Sequence, residues 1–169
     1  MSGTPRVIVG VSGSPTSLNA LRRAVAEARM RGVPLEVAHV YPLALWALGY
    51  PEGRGSLEQA ARDRLAGFLQ DGLGEVPADL HTTQVVTGSE SPAAALATRA
   101  VRPDDLLVLG TGHPRWLLRW RTSPVVRYCL RTAICPVLVV PPHPLARELG
   151  HWRMRRHSLD RELAGLLHE

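Results

Sequence analysis

The residues with the most evident chemical potential lie in "GTGHPRWLLRWRTSP", positions 110–124. Gly110 and Gly112 would let backbone come close to an anion, because no Cβ stands in the way. Ser123-Pro124 has the form of a helix start, where unpaired N–H groups point at a phosphate. Arg115, Arg119 and Arg121 add positive charge, and the amides of Val125 and Val126 would follow behind Ser123. His113, Trp116 and Trp120 crowd the middle of the same loop. The two tryptophans are four apart and share a face in a helical segment, where they could pack on the body or stack on a base. The stretch is therefore a candidate phosphate cradle that bulky residues have remodelled. A second glycine turn, "VGVSGSP" at 9–15, has the same strand-turn-Ser-Pro form.

Other chemistry has little support in the residue pattern. No Ser/His/Asp set, paired carboxylates or Cys/His cluster suggests catalysis. His151, His157 and His168 lack a metal-ligand spacing, so no metal is expected. Cys129 and Cys135 form neither a CxxC pair nor a disulfide framework and are expected as buried, reduced thiols.

The elements that must hold the two turns alternate along the chain. "RVIVGV" (6–11), "PLEVAHVYP" (34–42), "LHTTQVVTG" (80–88), "DLLVLG" (105–110) and "CPVLVVPP" (135–142) have the length and β-branched content of strands. Between them lie helical stretches. The first ends at Gly32 and turns Leu18, Leu21, Val25 and Ala28 inward. The second, 56–72, is expected to open on a Ser56/Gln59 capping box, with Leu57, Ala61, Leu65 and Phe68 inward. The third and fourth span 91–101 and 123–133. Ser14-Pro15, Ser91-Pro92 and Ser123-Pro124 each place a capping hydroxyl before a proline, which lacks the N–H that a first helical residue leaves unpaired. Such alternation predicts an α/β fold: an open five-stranded parallel sheet with helices on both faces. Ligands of such sheets sit beyond the carboxyl ends of the strands, so the turns after strands one and four would face each other if those strands are neighbours.

The chain has 169 residues, enough for one domain, and 45% hydrophobic content supports a real core. No apolar run is long enough to span a membrane and no signal peptide opens the sequence, so a cytoplasmic protein is expected. All 20 basic residues are arginine, and the net charge of +5 is uneven. Between Leu106 and Arg147 there are six arginines and no acid, while the remainder carries 14 basic against 15 acidic residues. That window is either a solvated face or a site for an anionic ligand or partner. Six arginines are too few to single out nucleic acid. Residues 143–169 form a C-terminal extension, in which Leu159, Leu163, Leu166 and Leu167 could make one face of a short helix.

"RVIVGVSGSPTSLNALRRAVAEA", "LEVAHVYP", "VVTGSESPAAALATRA" and "DLLVLGTGHPRW…RYCLRTAICPVLVV" together resemble a universal stress protein domain over residues 5–142. The resemblance implies the strand order 3-2-1-4-5, of the adenine nucleotide alpha hydrolase type. It also implies a homodimer through the last strand and, in many members, ATP between the first and fourth strand ends. The family's nucleotide signature runs Gly, two residues, Gly, nine residues, Gly, then Ser or Thr. Here Gly110 keeps the first position, whereas His113, Ser123 and Pro124 occupy the others. The family's ribose-binding aspartate falls on Ser12, and its adenine-contacting strand-two residue on Val40. Gly10, Val11, Gly112 and Val125 flank these positions and complete the degenerate site that the family implies. "SGSPTS" is also faintly similar to the SGGxDS loop of ATP pyrophosphatases, with Ser14 for a glycine and Thr16 for the aspartate.

The expected function is that of a non-catalytic, cytoplasmic stress-response binding protein without ordinary ATP binding. One alternative is a member that binds ATP or another adenine nucleotide, with slow hydrolysis or a switching role. A second is an interaction module that meets an acidic partner through the Arg/Trp loop.

Overall fold

The computed structural model describes residues 4–43, 51–112 and 123–143. Five strands form one parallel sheet: β1 (Val7–Gly10), β2 (Leu35–Pro42), β3 (Thr82–Ser89), β4 (Leu106–Gly110) and β5 (Val137–Val140). Their order is β3-β2-β1-β4-β5, so β1 and β4 are neighbours at the point where strand order reverses. The helices are α1 (Pro15–Arg31), α2 (Pro51–Leu73), α3 (Pro92–Ala97) and α4 (Pro124–Thr132).

Period-two alternation sorts the strand residues into two cores. Val7, Val9, Leu35, Val37, Leu106 and Val108 face α1 and α2, where Leu21, Ala24, Leu65 and Leu69 are buried against them. Ile8, Ala38, Leu107 and Leu109 face the other way, onto Leu96, Val126 and Cys129. α1 meets the sheet through alanines at 20, 24 and 28, all fully buried, which bring the helix axis close. Leu18, expected inward with Leu21, Val25 and Ala28, is half-buried at the margin. Gly32 ends α1 in the left-handed region, at φ 62°, as its position in the sequence predicts.

All three Ser-Pro starts form. Ser14 accepts from the Ser17 N–H, Ser91 from Ala94 and Ser123 from Val126. The second helix departs from expectation. It begins at Pro51, so Ser56 lies well inside it and opens no capping box. Pro51 supplies a better first residue, its missing N–H being one the helix would leave unpaired. Ala61 and Leu65 are buried as expected, and Leu57 and Phe68 partly so. The third helix stops at Ala97 rather than continuing to 101. There the Arg99 carbonyl accepts from Arg6 Nη2 and its guanidinium binds Glu36, which turns the chain toward the amino end of the sheet.

That end carries a polar staple. Glu36 is buried on β2 and receives both Arg6 and Arg99. Asp105 is fully buried and accepts the Arg6 and Arg102 amides. With its charged staple below, the sheet leaves its opposite, carboxyl end for the site.

Candidate functional site

At the carboxyl ends of β1 and β4 the two Ser-Pro turns meet. Thr16 Oγ1 donates to the Gly112 carbonyl at 3.3 Å, tying the start of α1 to the turn after β4. The Ser123 N–H donates to the Thr111 carbonyl, and the Thr111 N–H to that of Val140, so β4, β5 and the start of α4 close into one rim. On the other side the Val11 N–H donates to the Ala38 carbonyl. Thus Gly10, Val11, Ser12, Gly110, Gly112, Ser123, Pro124 and Val125 all lie on the turns and helix start at the carboxyl ends of β1 and β4. Val40 lies on β2 opposite Thr87 and packs on the α3/α4 side. His113, Arg115, Arg119 and Arg121 lie outside the described residues, as do Trp116 and Trp120.

The glycines serve the protein's own packing. A Cβ on Gly110 would lie 2.5 Å from the Thr16 carbonyl carbon and 2.7 Å from the Ser17 nitrogen. Its missing side chain therefore admits the first turn of α1 rather than a ligand. Gly112 has φ +91°, the left-handed region that glycine tolerates, and its Cβ would lie 2.7 Å from Ser123 Cβ. A Cβ on Gly10 would press on Leu96 and Leu109. Gly13, at φ +75°, sits over the Phe68 ring, whose Cε1 would be 2.3 Å from an added Cβ.

The polar groups are also engaged. Ser12 Oγ is 3.2 Å from Ser14 Oγ, and Ser14 Oγ is 3.2 Å from Thr16 Oγ1. Ser17 Oγ donates to the Ser14 carbonyl and accepts the Ser12 N–H. This turn is a chain of hydroxyls with no carboxylate, so it lacks the charged acceptor that would hold both hydroxyls of a ribose. Ser123 Oγ accepts the Val126 N–H at 3.2 Å. That bond corrects the expectation that the Val126 amide stands open to an anion: the helix's own cap occupies it. Pro124 has no N–H, which leaves Val125 to supply the one first-turn amide of α4 with no partner among the described residues. At the described positions the crevice thus offers a tied hydroxyl at Ser12 and a self-capped helix start at Ser123.

One supporting residue escaped the sequence reading, and it acts with Phe68. His39 is buried on β2; its Nδ1–H donates to the Val11 carbonyl at 2.8 Å, and its ring meets Phe68 edge-on at 5.3 Å. Together they brace the β1–α1 turn from below. The available signal was a histidine between the apolar residues Ala38 and Val40 of the second strand. Cys129 and Cys135 are free and buried, as expected. Burial, with the Cys135 charge second, pushes the Cys129 thiol up to about 11. Burial likewise raises Cys135. Among the described residues no group of three His, Cys, Asp or Glu could hold a metal, and no helix is long and apolar enough to cross a membrane.

Comparison with known proteins agrees with this architecture. The family model of universal stress proteins matches residues 3–141. Two universal stress proteins of Mycobacterium tuberculosis, from strains CDC 1551 and H37Rv, are each 36% identical over 151 residues. The match covers 82% of this chain and 50% of each relative, so the chain spans about half the length of the curated relatives it matches. Among solved structures, a universal stress protein of Lactobacillus plantarum aligns with TM-score 0.59 and 22% identity, over 80% of this chain and 97% of that one. An Archaeoglobus fulgidus universal stress protein in complex with dAMP aligns with TM-score 0.55 and 20% identity, over 81% and 98%. At those identities the structural likeness speaks for the fold. The five-stranded order, the crevice between β1 and β4 and the family match together place the chain in the universal stress protein family.

Proposed function

We propose that this chain is a non-catalytic, cytoplasmic stress-response protein that acts through binding and self-association, and does not hold ATP in the family's ordinary way. The observation that carries the reading is the closed rim of the crevice. Thr16 backbone fills the space beside Gly110, Ser123 caps its own helix, and Ser12 offers a tied hydroxyl where a carboxylate would hold ribose. Hydrogen bonds to charged groups contribute roughly 1.5–3 kcal/mol each, so losing two or three weakens a nucleotide by about 3–9 kcal/mol. Such a loss turns micromolar affinity into about 0.1 mM or weaker.

Self-association is proposed through β5. It is a short apolar edge strand, and an edge of that kind pairs readily with another. Sedimentation at micromolar concentration is expected to give a dimer, and a monomer would contradict it. A second reading, binding of an adenine nucleotide, draws on the A. fulgidus neighbour solved with dAMP and on the Val125 amide, which has no partner among the described residues. A mononucleotide asks for fewer phosphate contacts than ATP does. Denaturing the purified protein and analysing the released small molecules by mass spectrometry separates the readings. No stoichiometric nucleotide is expected; recovery of one per chain would favour the second.

A further inference from the structure

β5 closes one side of the sheet, so only one of its edges is paired. The Pro136 and Val140 carbonyls accept from the Leu107 and Thr111 N–H groups, which turns the backbone of residues 136, 138 and 140 toward β4. The N–H and C=O groups of Val137 and Val139 therefore point to the open edge, with no partner among the described residues. Their side chains lie on the α3/α4 face, each in register with a leucine of β4. Those leucines, Leu107 and Leu109, are buried, whereas Val137 and Val139 are half-buried.

α4 stands above that edge. On this face α3 lies against β2 and β3, and α4 against α3 and β5. A helix turns about 100° per residue, so the buried Val126 and Cys129 fix how α4 is rotated. Cys129 turns toward α3, where its Sγ donates to the Ala93 carbonyl. Leu130 lies on the other side of Val126 and leaves α4 on the flank away from α3, over the open edge of β5. Ile134 follows just past the helix end, at the spacing that continues the same flank. Leu130 is 54% exposed and Ile134 61%, so an apolar ledge overhangs an apolar edge. The charged side chains of α4, Arg127 and Arg131, have one sign, which disfavours stacking two α4 helices face to face.

We infer that Leu130 and Ile134 of one copy cover Val137 and Val139 of a second copy, which makes the flank of α4 part of the self-association surface. The inference rests on the pairing through β5 proposed above. Two β5 strands that pair antiparallel are related by a two-fold axis perpendicular to the sheet, so both α4 helices stay on the same face. Side chains directly opposite each other share that face, and the partner's Val137 and Val139 arrive in the strip beneath the ledge. The surface is self-complementary, because each copy supplies one strand and one ledge. The valines that α4 leaves half-covered in its own chain gain their cover from the partner's Leu130 and Ile134.

Sedimentation equilibrium of the full chain and three variants tests this. Leu130→Ser with Ile134→Ser removes the ledge at residues that face solvent in the single chain, so the fold is retained. This variant is expected to weaken the dimer about tenfold or more. Leu130→Met with Ile134→Met keeps the apolar bulk and is expected to stay within about threefold of the parent. Val139→Pro removes an N–H from the open edge, where proline is tolerated, and is expected to give a monomer. A serine variant that dimerises as tightly as the parent, with Val139→Pro monomeric, would overturn the inference and leave the pairing through β5 in place. An equal loss in the serine and methionine variants would also overturn it, since apolar cover would then not be what the ledge supplies. A monomeric parent, or a Val139→Pro dimer of parent strength, would overturn the pairing itself and the inference with it.

Discussion

At Gly110 the nearest atoms to an added Cβ are backbone, the Thr16 carbonyl carbon at 2.5 Å and its oxygen at 2.6 Å. Backbone of a packed helix start cannot swing aside as a side-chain tip can, so Gly110→Ala forces α1 off β4. Overpacking of this kind costs typically about 1–3 kcal/mol, and Gly110→Ala is expected at the upper end in urea denaturation without any ligand. Unchanged stability would show that the glycine does not serve packing. A single sequence leaves this role illegible: a glycine after a strand looks the same whether helix or phosphate approaches it. Cys129 gives a residue-scale pH effect with a definite sign. Its folded thiol lies at about 11, above the ordinary thiol value of 9.0. Between those values the native state keeps a proton that the unfolded chain loses, so stability falls as pH rises from about 9 to about 11. The urea midpoint of the parent should fall more steeply over that window than that of Cys129→Ala, and parallel slopes would contradict the assignment.

Each element boundary reflects a competition between local signals and the packing that overrides them. The Ser-Pro starts were legible because cap and proline act within four residues of sequence. The early start of α2 and the early stop of α3 were not. The first turns on which of two acceptable starts the chain uses, the second on Arg99 reaching Glu36 across 63 positions. Glu36 itself sits in "PLEVAHVYP", where a strand pattern gives no hint that its carboxylate is buried and doubly paired. Removing one partner of a buried pair strands the other charges, at about 3–5 kcal/mol. Arg6 and Arg99 keep side-chain exposures of 27% and 28%, which softens the loss. Glu36→Gln is therefore expected to cost about 3 kcal/mol in urea denaturation, since the amide can still accept hydrogen bonds but carries no charge. A loss below about 1 kcal/mol, the scale of an exposed pair, would show that the staple is a surface feature.

For the molecule as a whole, the sheet order and the meeting of two turns followed from alternation and from the family resemblance; how far that crevice is closed did not. The substitutions at Ser12, His113, Ser123 and Pro124 announced a departure from the nucleotide signature. Only the three-dimensional arrangement shows what replaced it at the described positions: Thr16 against Gly110, Ser123 on Val126, and a chain of hydroxyls from Ser12 to Thr16. The turn after β4 thus ties the start of α1, through Thr16 and Gly112, to the start of α4, through Thr111 and Ser123. Reversion by Ser12→Asp, His113→Gly, Ser123→Gly and Pro124→Ser together should raise the affinity for ATP, because it returns the carboxylate, the glycines and the helix-start N–H groups. The most direct measurement is calorimetric titration of the unaltered protein with ATP and magnesium. With two or three charge-assisted hydrogen bonds missing from the crevice, no binding tighter than about 0.1 mM is expected. Micromolar binding by the unaltered chain would contradict the account and make the crevice a working nucleotide site.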